Sequence, residues 1–184
     1  MSETPKIPEA VKRFTTEYVV AEDRIRISLE RNDESVAVLW LTRRLTIRLV
    51  PQIVKVIGAL PRLMGSAPAA TPAPSANAQR RSQLDALGKI EQQAPVLSGD
   101  LPDTLEAHLI TGLGVRLTKG VVLIDFKTEE DTTAQTLPFS EEAMRQWLGV
   151  LHMCFRKGAW QEDIWPEWIT AKGWDQGPDA LRLN

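Results

Sequence analysis

Apolar and polar positions follow one scheme twice along the chain. Arg24-Ile25-Arg26-Ile27-Ser28-Leu29-Glu30 alternates polar with aliphatic residues, the period of a half-buried strand. Arg31-Asn32-Asp33-Glu34-Ser35 supplies turn formers, and Val36–Leu41 is an apolar run of strand length, so the pair predicts a hairpin. Thr42 then stands where it can cap a helix whose apolar residues recur at Leu45, Leu49, Val50, Ile53, Val56 and Ile57. Pro51 falls inside that helix and predicts a kink or break near Val50. Further along, Glu106–Ile110 and Gly114–Thr118 read as short strands, and Gly120–Lys127 as the clearest strand of the chain. Ala134–Phe139 follows a turn, and Ser140 caps a second helix with Ala143, Trp147, Leu148, Leu151, Cys154 and Phe155 on its apolar stripe.

The two helices superimpose at an offset of 98 residues, which places Ser140 on Thr42 and Trp147 on Leu49. The preceding strands match at 97, Ile25 falling on Val122 and Leu29 on Phe126, so the second turn is one residue longer. Divergence of a duplicated unit tolerates a change in loop length most easily. The alternative is convergent patterning of two unrelated units. The expected fold is α+β: two pseudo-duplicated strand-strand-helix units in tandem, each a small antiparallel sheet followed by a helix, joined by a flexible Ala/Pro linker. The expected boundaries are 14–64 for the first unit, 65–78 for the Ala/Pro/Ser linker, 79–103 for a weak helix and loop, 104–160 for the second unit and 161–184 for a Trp-rich tail. As a random coil the linker would span roughly 20 Å. Within 79–103, Leu84, Leu87 and Ile90 have helical spacing from Ser82 to Gln93, which Gly88 weakens. A unit of about 50 residues buries too little apolar surface to be stable alone, so the two should share an interface, within one chain or by exchange across a dimer.

Composition narrows the class further. The net charge of −2 conceals a polarity: residues 1–66 carry an excess of positive charge and residues 100–184 an excess of negative charge. The acidic half would repel phosphate, which disfavours nucleic-acid binding over the whole surface. Met1–Lys6 is polar and no apolar signal-peptide run follows. No stretch approaches the roughly 18 apolar residues of a spanning helix. The expectation is a cytoplasmic protein that does not enter a membrane. Cys154 is the single cysteine, and its place on an apolar stripe marks it as a small core residue.

Candidate chemistry is sparse. His108 and His152 are the only histidines, and no spaced ligand set accompanies them, so no metal is expected. Glu22-Asp23 and Glu129-Glu130-Asp131 read as solvated turns. Gly112-Leu113-Gly114 lacks the third glycine and following helix of a dinucleotide fingerprint. No nucleophile, base and orienting group can be nominated together, so neither a cofactor nor enzymatic activity is expected.

The constellation with a physical argument for binding is Thr42, Arg43, Arg44 and Arg48. Cations in the first turn of a helix oppose its dipole by about 0.3–1 kcal/mol, so arginines there make sense where an anion sits at the same spot. The second helix carries Glu141 and Glu142 at the matching positions, which suggests reciprocal docking of the two helix starts. The alternative is solvated arginines flanking a core helix. Trp165, Trp168 and Trp174 are candidate aromatic anchors for a partner, or side chains that fold back over a sheet or helix. The leading expectation is a non-enzymatic protein-interaction or assembly module, acting as a homo-oligomer (a dimer) or as an accessory subunit of another protein. Tandem sheet-then-helix units also resemble the architecture of the whirly and PUR group of single-strand nucleic-acid binders. That resemblance covers topology over about two-thirds of the chain and implies a basic, aromatic sheet face. Arg24, Arg26 and Trp40 would supply it in the first unit, whereas the second offers Asp125.

Overall fold

The computed structural model describes residues 10–63, 65, 68, 72–91, 94–97, 105–118, 120–129 and 132–170. Strands β1 (Val11–Val19), β2 (Arg24–Arg31) and β3 (Val36–Leu41) form an antiparallel meander, which β4 (Glu106–Ile110) extends by pairing parallel to β3. A second, three-stranded antiparallel sheet comprises β5 (Gly112–Thr118), β6 (Val121–Lys127) and β7 (Thr133–Phe139). Among the described residues four helices complete the α+β fold: α1 (Arg43–Leu63), α2 (Ala76–Gly88), α3 (Glu141–Lys157) and the single turn α4 (Glu167–Thr170).

The alternating stretch and the apolar run are thus neighbouring antiparallel strands, with Ile27 opposite Leu39. The period of two sends Ile25, Ile27 and Leu29 to one face, where all three are fully buried. In the second sheet Val122, Ile124 and Phe126 do the same. Both faces, with Leu49, Ile53 and Ile57 of α1 and Trp147, Leu148 and Phe155 of α3, belong to one hydrophobic cluster. Only Thr111 separates β4 from β5, and its N–H donates to the Lys127 carbonyl at 2.9 Å. The chain therefore leaves the edge of one sheet and enters the edge of the other within one residue, a corner of the kind that links packed sheets.

Three expectations differ from what is observed. Of the kink or break expected at Pro51, the break is absent: α1 runs from Arg43 to Leu63 with Pro51 and Pro61 inside it. Pro51 is exposed, so the bond it removes lies on the solvent side while Leu49, Val50 and Ile53 hold the opposite face on the core. The weak helix starts at Ala76, inside the expected linker, because the Ser75 hydroxyl accepts a bond from the Ala78 N–H. It also turns a different face inward: Gln79, Gln83 and Ala86 are buried while Leu84 is 49% exposed. The α3 surface it meets presents Arg145, Gln146 and Glu142, so glutamines rather than leucines fit against it. Several residues of the expected linker lie outside the described residues.

A charged pair ties the hairpin end to the edge strand. Arg31, buried at the end of β2, donates to both carboxylate oxygens of Glu106 at 2.7 and 3.0 Å, and to Gln135 of β7 at 3.4 Å. Arg31, and secondarily His108, hold the Glu106 carboxyl down from 4.5 to about 2. A carboxyl depressed in the folded state stabilises fully above its unfolded value and loses that contribution as pH falls through the folded one. Stability should therefore decline between pH 4.5 and about 2. Glu106 is 46% exposed, so solvent screening limits the contribution to about 1 kcal/mol. Glu106→Gln should lose that amount at pH 7 and flatten the acid limb, as urea midpoints measured across the window will report.

Candidate functional site

The start of α1 is built as its cap residue dictates. Thr42 Oγ1 accepts from the Leu45 N–H at 3.3 Å, and the Thr42 carbonyl receives both the N–H and the hydroxyl of Thr46 at 3.0 Å. No acid occupies the first turn. Arg43 finds one from afar: its Nε and Nη2 donate to Glu162 Oε1 at 2.9 and 2.6 Å. This carboxylate answers the dipole argument for Arg43 from within the chain. Arg44 and Arg48, one turn apart, are exposed and make no ion pair among the described residues.

Beside Arg43 the loop after α3 packs against the β1–β2 turn. Asp23, at φ 47°, turns its carboxylate to accept from Tyr18 Oη at 2.7 Å and Trp160 Nε1 at 2.8 Å. Those two donors, with Arg43 nearby, hold the Asp23 carboxyl below the ordinary carboxylate range. Tyr18 and Phe155 meet the Trp160 ring edge-on at 5.4 and 5.1 Å. An open cleft of about 660 Å³ runs alongside, lined by His152, Phe155, Arg156, Trp160, Glu162 and Trp165.

At the other helix start, Ser140 Oγ accepts from the Ala143 N–H at 3.1 Å. Glu141 pairs with Arg145 at 2.9 Å and Glu142 with Lys89 at 2.8 Å. Within the chain, then, Arg43 meets Glu162, while Glu141 and Glu142 have other partners. Trp165 is half-buried in the cleft wall, against His152 and Phe155. Trp168 is buried inside the chain, with the Arg145 guanidinium 5.9 Å from its ring centre. Trp174 lies outside the described residues. On the first sheet Arg26 is buried and paired with Glu17 at 2.6 Å, and Trp40 is half-buried.

Periodicity could not reveal Glu162, since it belongs to a loop without repeat and its partner lies 119 residues away. A second surface feature leaves no trace in the period either. Leu109 of β4, Leu117 of β5 and Val121 of β6 are exposed, and β5 is an edge strand paired only with β6. Cys154 is buried, which pushes its thiol up to about 12 and leaves it no thiolate for chemistry at neutral pH. Among the described residues no three His, Cys, Asp or Glu side chains gather as a metal site, and no helix is long and apolar enough to cross a membrane. Searches of protein-family models, curated proteins and solved structures return no match to this chain.

Proposed function

We propose that this chain is a protein-interaction or assembly module without catalytic activity, working as a homo-oligomer or as an accessory subunit. The observation that carries the proposal is the pair Arg44 and Arg48. α1 opens with three arginines, Arg43 is neutralised by Glu162, and the other two face solvent from a helix end that already favours anions. Carboxylates are the fitting partners, and residues 100–184 of a second copy carry an excess of them. Exposed Glu142 at the start of α3 is the acidic counterpart we assign, trading Lys89 for an arginine across the contact. The exposed apolar residues Leu109 and Leu117 on the edge strands β4 and β5, with Val121 at the start of β6, favour the same reading.

We further propose that the two halves descend from one duplicated unit. β1-β2-β3-α1 and β5-β6-β7-α3 are each an antiparallel meander followed by a helix, and the 97–98 offset runs through β2-β3-α1 and β6-β7-α3. α1 packs against β5 and α3 against β1, so each helix reaches the first strand of the other half.

The test is a charge reversal. Arg44→Glu with Arg48→Glu should weaken self-association at least about 10-fold, equivalent to 1.4 kcal/mol, and light scattering should report a smaller species. An unchanged size would count against the assignment. Titration with oligo-dT at low and high salt separates the nucleic-acid alternative, which requires salt-sensitive quenching of tryptophan fluorescence. The burial of Arg26 against Glu17 favours the assembly reading over that alternative.

A further inference from the structure

Polar groups fasten α2, where an apolar stripe would ordinarily do so. Gln79 Oε1 accepts from Arg145 Nη2 at 2.7 Å, and Gln83 Nε2 donates to the Arg145 carbonyl at 2.7 Å. From α3, Gln146 Nε2 donates to the Ala86 carbonyl at 2.9 Å, while Lys89 reaches Glu142 at 2.8 Å. The seal is incomplete. Gln83 Oε1 and Arg145 Nη1 are buried and have no hydrogen-bond partner among the described residues. A donor and an acceptor orphaned in this way favour any state in which water reaches them.

The apolar hold is slight, with Leu87 half-buried and Ile90, just past the helix, packed on the core. Ala86 is the single apolar residue among the buried positions of α2, and Leu84 faces solvent. Arg145 meanwhile keeps two contacts that do not depend on α2: Glu141 on its own helix and the Trp168 ring. The surface beneath α2 is therefore built to persist without it. α3 itself is anchored elsewhere, through Trp147 and Phe155 in the core.

We propose that α2 is a releasable strap. It detaches from α3 and α4 in a local opening that leaves both sheets, α1 and α3 folded, and uncovers a surface centred on Arg145 and Trp168. The opening does not rest on the self-association proposed above, although the two share Glu142, the partner of Lys89 at the end of α2.

Native-state amide exchange on the full chain, read residue by residue by NMR, tests this. The α2 amides should exchange at least about 100-fold faster than those of Leu148–Leu151 in α3, because they exchange through a sub-global opening. Gln79→Ala removes the one acceptor of Arg145 Nη2 that α2 supplies, Glu141 being the other, and should speed α2 exchange about 10-fold while leaving α3 unchanged. One common exchange rate for α2 and α3, or a Gln79→Ala effect equal on both helices, would overturn the proposal.

Discussion

Trp147→Ala should destabilise the protein by about 4 kcal/mol, a large part of the 5–15 kcal/mol typical of a domain. Trp147 is the largest fully buried side chain among the described residues and joins parts of the fold that share no strand. Its ring stacks on Phe139 of β7 at 5.0 Å and meets Phe126 of β6 edge-on at 6.3 Å. Its Nε1–H crosses to the first sheet and donates to Thr16 Oγ1 of β1 at 3.0 Å. Truncation opens a cavity at the junction and leaves the Thr16 hydroxyl buried without its donor. Thr16→Val should cost about 1–2 kcal/mol by orphaning the indole N–H in turn. Urea unfolding of both variants, followed by circular dichroism, measures the difference.

Gly158→Ala should cost about 2 kcal/mol, a surprising figure for a helix-terminal glycine with an ordinary φ of −79°. A Cβ there would lie 2.9 Å from Tyr18 Cε2 and 3.1 Å from Trp160 Nε1. Neither ring can yield, since Asp23 holds both by hydrogen bonds. The left-handed residue that ends α3 is Ala159, at φ 50°, one position after the glycine. Space against Tyr18 therefore decides where the glycine stands. Ala159→Gly should accordingly stabilise by about 1 kcal/mol, visible as a raised urea midpoint.

What the sequence revealed and what it concealed divide along one physical line. Local period alone marks Ile25, Ile27 and Leu29, or Trp147, Leu151 and Phe155, because burial of one face needs nothing but its spacing. The helix caps Thr42 and Ser140 were legible for the same reason. The face of α2 was not. Leu84 and Leu87 carry the helical spacing, yet Gln83 is buried because its partner, 62 residues on, is the Arg145 carbonyl. Long-range polar pairing leaves no periodic trace. The parallel pairing of β4 with β3, the ion pair of Arg31 with Glu106 and the seat of Glu162 beside Arg43 were hidden likewise. At the candidate site the arginines could be named from their place in the helix, but not which of them its own chain neutralises.

Sedimentation equilibrium of the full-length wild-type chain over a wide concentration range measures self-association without any probe or variant. A reversible dimer, weakening as salt is raised, is the expected result. A species of single-chain mass at every concentration, together with tight binding of oligo-dT, would contradict it.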